Sequence, residues 1–158
     1  MASENNTPAG ETSKQPATLI VANAQLSWLD TGLPYSLDFD DTYHSSEGAQ
    51  AESRYLFLDG NRITQRWHEA YESAKRVVDC FTVAELGFGC GLNFLETLQR
   101  WTQAHSKPHR LHYVAFEKHP LTHADLTRAL EQWPDLAAYS AQLLRQYPEH
   151  SAGCHRLY

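Results

Sequence analysis

The chain has 158 residues, 42% apolar and 20% charged, enough for one domain with a buried core and too few for two. Its net charge of -6 excludes a chain-wide basic footprint for nucleic acid, so any phosphate contact must be local. No apolar run approaches the roughly 20 residues that cross a bilayer, so no membrane partner is expected. Cys80, Cys90 and Cys154 form no paired framework, and the first residues lack the basic-then-apolar order of a secretory signal, so a cytoplasmic location is expected.

Residues 1–17 are polar and rich in small residues, Pro and Gly, and bury too little to offset their ordering entropy; they are expected to be a disordered tail. In "TLIVANAQLSWLD" short β-branched and apolar runs precede the turn "DTGLP", which predicts one or two strands joined by a reversal. "LDFDDTYHSSEG" reads as an acidic loop. Glu52 to Leu58 predicts a short helix carrying Tyr55, Leu56 and Leu58 and stopped by Gly60. "NRITQRWHEAYESAKRVV" continues as helix, with Ile63, Trp67, Tyr71 and Ala74 near a 3.6 period.

Val77 to Leu86 predicts a buried strand, and three alternating glycines follow it at once. Leu92, Leu95, Leu98 and Trp101 mark one face of the next helix, which ends before Pro108. "LHYVAFE" predicts a second buried strand. Thr122 is a cap candidate for a helix with Leu126, Leu130 and Trp133 at helical spacing; Pro134 interrupts it, and "DLAAYSAQLLRQYP" forms another. "CHRLY" reads as the opening of a further strand. This order predicts an α/β fold with a parallel sheet and right-handed crossovers.

A glycine turn between a buried strand and a helix brings unpaired backbone amides to the carboxyl edge of a sheet, where ligands bind. Gly87, Gly89 and Gly91 remove the β-carbons that would hold a ligand off and permit positive φ. Asn93 is a candidate cap of the helix, with Glu96 three residues on as in a capping box. The dinucleotide fingerprint G-x-G-x-x-G requires a glycine where Leu92 stands. Glu85, two residues before Gly87, would oppose a pyrophosphate but suit a cationic ligand such as S-adenosylmethionine, whose carboxylate can face the helix amides. Glu117 ends the second strand, where a carboxylate can accept from both ribose hydroxyls; this predicts an adenosine site and serves NAD equally well.

"ELGFGCG" and "VAFEK" resemble the first two motifs of class I S-adenosylmethionine-dependent methyltransferases. More specifically, "PYSLDFDDTYHS", "ESRYLFLDGN", "AELGFGCGLNFL", "FEKHPLTHADL" and "GCHRL", in this order from about Leu26 to Tyr158, are similar to the methyltransferase domain of the bifunctional tRNA 5-methylaminomethyl-2-thiouridine biosynthesis family. The resemblance implies a Rossmann-like sheet and methyl transfer from S-adenosylmethionine to the aminomethyl group of a tRNA wobble uridine. It also implies an FAD-dependent oxidase domain that often follows on the same chain. Carried over by motif, Glu85, Gly87, Gly89, Gly91 and Glu117 would hold the cofactor. The strings around Asp40, Asp41, Tyr43, Arg54, Tyr55 and Asn61 would line its pocket, with Asp41, Tyr43 and Asn93 as further cofactor candidates.

The family domain continues past "GCHRL" with further strands and an Asp-Gly-Phe-Ala-Pro motif beside the transferred methyl, which do not occur here. The expectation is therefore the N-terminal part of the sheet, as a truncated product or partial sequence, with an unpaired edge and catalytic residues beyond Tyr158. Its divisions are a tail (1–17), a β/α extension (18–76) and an S-adenosylmethionine-binding α/β domain (77–158) incomplete at its C-terminal end. The rivals are an oxidoreductase binding NAD or FAD at the same loop, and a non-catalytic binding module or remnant.

Other features take plainer readings. Cys90 fills a tight turn, with no histidine placed to activate it. His105, His109 and His112, or His119 and His123, straddle prolines without a cysteine pattern, so no metal is expected. Arg54, Arg62, Arg66, Lys75 and Arg76 form a basic stretch that could meet tRNA phosphates but reads first as a solvated helix face. Trp67, Trp101 and Trp133 fall at core spacing, which favours packing over base stacking.

Overall fold

The computed structural model describes residues 21–73, 80–148 and 152–158. The expected tail, Ala74, Lys75, Arg76 and the start of the strand expected from Val77 lie outside them. An antiparallel sheet comes first: β1 (Leu26–Trp28), β2 (Pro34–Ser36) and β3 (Asp41–Thr42), in that order. The turn after β1 is closed by Gly32 N–H to Leu29 O at 2.8 Å. The loop expected over "LDFDDTYHSSEG" thus contributes a two-residue strand, because Tyr35 and Ser36 offer it a ladder.

The helix expected from Glu52 begins earlier and changes pitch. Helix α1 (Ala49–Glu52) runs into a π-helical turn over Ser53–Asp59, closed by Gly60 N–H to Tyr55 O at 2.8 Å. Gly60 does not end it in a left-handed conformation: its φ is -58°, and the left-handed residue is Arg62 at φ 54°. The wide turn buries Leu58 and leaves Tyr55 and Leu56 exposed. Helix α2 (Ile63–Ser73) buries Ile63 and Trp67, while Tyr71 is exposed.

The second sheet is a parallel β-α-β unit: β4 (Cys80–Leu86), α3 (Leu92–Gln103) and β5 (Arg110–Phe116), paired from Cys80 opposite Arg110 to Leu86 opposite Phe116. It is the unit from which Rossmann-like sheets are built. The sequence predicts strands buried throughout, and the structure corrects this. Phe81, Val83, Leu111 and Tyr113 pack against Trp67, Leu58 and Trp101 on one face, whereas Val114, Phe116 and Leu86 on the other are exposed, Leu86 by 87%. Among the described residues the helices cover a single face, so alternate strand residues meet solvent.

Helix α4 (His123–Leu130) starts as predicted: Thr122 Oγ1 accepts from Asp125 N–H at 3.1 Å. Pro134 opens a 3-10 turn (Pro134–Leu136) that leads into α5 (Ala137–Gln146). Leu95, Leu121, Leu126, Ala129, Trp133, Leu136 and Leu143 form the main core between α3, α4 and α5. Trp67 and Trp133 are buried and Trp101 meets Trp67 edge-on at 5.0 Å. "CHRLY" forms no strand; Tyr158 is instead held by Gln146, whose Oε1 accepts from its N–H at 2.7 Å. No helix of the described residues is long and apolar enough to cross a membrane.

Glu96 on α3 is 1% exposed, and its carboxylate is met by Arg54 Nε at 2.6 Å and Gln50 Nε2 at 3.0 Å. Arg54 also reaches Asp135 at 3.5 Å. Replacing Arg54 by Ala should therefore cost about 2 kcal/mol, less than for a fully buried pair because Arg54 is partly solvated. Urea unfolding of the two proteins measures it.

Candidate functional site

The turn after β4 is built from three left-handed glycines, Gly87, Gly89 and Gly91, with φ of 84°, 55° and 75°. Gly87 N–H continues the sheet ladder to Phe116 O at 2.8 Å, and Gly91 N–H closes the turn on Phe88 O at 2.9 Å. Space around the three differs. A β-carbon on Gly87 would meet nothing within 4 Å, whereas one on Gly91 would lie 2.8 Å from the Phe88 ring and 3.3 Å from Leu143. Gly91 is thus a packing and helix-start residue, and it lines neither of the cavities described next.

A cavity of about 740 Å³ lies at the carboxyl ends of β4 and β5 and is lined by Phe39, Tyr43, Gly87, Gly89, Glu117 and His119, among others. A second, of about 560 Å³, lies between the glycine turn and the π-helical turn and is lined by Glu52, Ser53, Phe57, Glu85 and Asn93. Asp41, Thr42, Tyr43, Gly87 and Gly89 line both, so the two meet beside the glycine turn. Of the candidates from sequence, Glu85, Gly87, Gly89, Glu117, Asp41, Tyr43 and Asn93 come together here.

Their chemistry differs from the sequence expectation in three places. Asn93 is not the cap of α3; that position is Gly91, and Asn93 lies inside the helix with its Nδ2 donating to Glu85 Oε1 at 2.9 Å. Glu96, engaged with Arg54, takes no part in a capping box. Glu85 does not stand open to a ligand either. It is 6% exposed, and its Oε2 accepts from the Tyr113 hydroxyl at 2.8 Å. Burial raises its proton affinity, and the Asn93 and Tyr113 hydrogen bonds oppose that rise.

Glu117 is exposed, yet both oxygens have a backbone partner: Oε2 accepts from Gly89 N–H and Oε1 from His119 N–H, each at 2.8 Å. Such a carboxylate fixes the turn across the two strand ends and keeps lone pairs for further donors. The Tyr43 ring lies over Gly89, 3.4 Å from where its β-carbon would be, and burial pushes its phenol up to about 12.

Cys90 is buried in the core, and burial pushes its thiol up to about 12. No group of three or more His, Cys, Asp or Glu among the described residues could hold a metal ion. Arg54 and Arg62 pair with acids, and Arg66 lies over Phe81. Asp40, at φ 56°, accepts from the Tyr35 hydroxyl. Asn61 donates to Phe57 O at 2.8 Å, and neither Asn61 nor Tyr55 lines these cavities. Sequence reasoning covered Phe39 and Ser53 only within longer strings and did not single them out, and it missed His119 and Tyr113 as site residues. Only Tyr113 had a signal, since it shares the inward parity of Leu111 on β5.

The chain is 41% identical over 137 residues to the tRNA 5-methylaminomethyl-2-thiouridine biosynthesis bifunctional protein MnmC of Legionella pneumophila (strain Corby), a match covering 87% of this chain and 20% of that protein. The protein of the same name from Saccharophagus degradans is 45% identical over 134 residues, 84% of this chain and 18% of its own length. The chain is similar to a segment of each of these two proteins. It spans about one fifth of the length of these relatives. No family model matches it. The crystal structure of MNMC2 from Aquifex aeolicus is 25% identical and aligns with a TM-score of 0.48 over 64% of this chain and 31% of that one.

The packing at Gly91 gives a direct check. Gly91→Ala should destabilise the fold by about 1–3 kcal/mol through the left-handed φ and the contact with Phe88. It removes no atom from either cavity, and thermal unfolding measures the loss.

Proposed function

We propose that this chain forms the S-adenosylmethionine-binding part of a methyltransferase that acts in the cytoplasm on the aminomethyl group of a tRNA wobble uridine. FAD, on this reading, belongs to a further oxidase domain. The observation that carries it is the glycine turn tied to Glu117 at the junction of two cavities, one facing the strand ends and one facing buried Glu85. The similarity to MnmC proteins supports the substrate class. Residues 77–158 supply the cofactor domain and residues 18–76 the extension that walls it through Asp41, Tyr43 and the π-helical turn.

The residues fit the cofactor. Gly87 leaves open space beside the sheet edge, and Glu117 has lone pairs directed away from Gly89 and His119 for ribose hydroxyls. Asp41, Glu52 and Glu85 make the second cavity acidic, which suits the cationic methionine end. When bound, the cofactor supplies an electrophilic methyl group. Gly87, Glu117 and the acids Asp41, Glu52 and Glu85 would hold the cofactor there, and the methyl it would supply would be taken up by an amine nitrogen that gives up a proton. The protein's part is to orient the two partners and to keep the cation near acids.

A dinucleotide remains the rival, because burial raises the proton affinity of Glu85 and so weakens its opposition to a pyrophosphate. Calorimetric titration with S-adenosylhomocysteine and NADH separates them: the proposal expects binding of the first, and preference for NADH overturns it. Glu117→Ala should weaken S-adenosylhomocysteine about tenfold, the loss of hydrogen bonds to a charged acceptor. Methylation of aminomethyl-bearing tRNA by the chain, read with radiolabelled methyl donor, tests turnover against a purely binding role.

A further inference from the structure

Both oxygens of Glu85 are occupied, one by Asn93 and one by Tyr113. A buried carboxylate with two such donors keeps its charge only while both stay aimed at it. Tyr113 is aimed by β5 and by its edge-on contact with Phe94 at 5.0 Å. Asn93 has an amide with a donor end and an acceptor end; an ionised carboxylate takes only the donor end, and a second contact on Oδ1 holds the amide in that orientation. Ser53 makes that contact. Its hydroxyl donates to Asn93 Oδ1 at 2.6 Å, which leaves Nδ2 facing Glu85.

Ser53 is 8% exposed and opens the π-helical turn. The same segment is fastened to α3 through Gln50 and Arg54 on Glu96, so the serine is held on a rigid support. We propose that Ser53 is a positioning residue that, through Asn93, keeps Glu85 ionised and so sets the preference of the second cavity for a cationic ligand over a neutral one. This rests on the S-adenosylmethionine reading above. Glu85 is opposed by burial and by Glu117, with Cys90 beneath the turn and Asp41, Glu52 and His44 across the cavity. Without the serine hydroxyl the Asn93 amide is held by Glu85 alone and is less firmly aimed, and the carboxylate takes up a proton more readily.

The test compares S-adenosylmethionine, a sulfonium, with S-adenosylhomocysteine, an uncharged thioether, by calorimetry at neutral pH. Ser53→Ala should lower the ratio of the two affinities about threefold or more, and Ser53→Thr should restore it. Tyr113→Phe removes the other donor and should move the ratio the same way, which keeps the test alive if Ser53→Ala fails to fold. A merely structural serine would weaken both ligands equally, and an unchanged ratio in the folded variants overturns the inference alone. A wild-type chain that binds neither ligand overturns the proposed function and this inference with it.

Discussion

Helix α3 packs where it does because two carboxylates beside its first turns must be paired out of water. Glu96 is carried by the helix itself, and Glu85 lies beneath it at the end of β4. An uncompensated buried carboxylate costs several kcal/mol, so α3 can settle on the sheet only with its partners in place. Those partners come largely from the segment before the sheet: Arg54 and Gln50 reach Glu96, and Ser53 reaches Glu85 through Asn93. The β/α segment ahead of the glycine turn is therefore part of the site's own support.

That pairing also fixes the glycine turn from below, while Glu117 fixes it from above. Gly91 starts α3 without a side-chain cap, and between Phe88 and Leu143 a β-carbon fits only if the Phe88 ring shifts. Gly89 is tied to Glu117 and covered by Tyr43. Only Gly87 faces open space, so the three glycines of one motif stand in three environments: open space, a backbone tie to Glu117, and core packing. A regular spacing in sequence does not imply a shared role.

The order of elements was legible, because helical periodicity, Thr122 and Pro134 are local signals whose physics the tertiary structure does not override. What the residues could not disclose were contacts over long separations. Asn93 has the right type and place for a cap, yet a buried acid eight positions earlier claims its amide, and Gly91 starts the helix by conformation alone. The π-helical turn has no sequence signature, so the burial of Ser53 and exposure of Tyr55 could not be anticipated. The apolar runs of β4 and β5 predict burial on both faces; only one face is covered among the described residues.

The two strand-end acids illustrate how environment divides residues of one type. Glu85 has a side-chain donor on each oxygen and is 6% exposed, so little of it is open to a ligand and it acts mainly through its field. Glu117 has spent one lone pair of each oxygen on a backbone amide and stays exposed, so it can still accept from a ligand. From its place in the sequence Glu85 reads as favouring a cation directly. The structure turns that into an indirect effect, whose strength depends on Asn93 and Tyr113 remaining donors, and leaves Glu117 as the acid able to touch what the cavity holds.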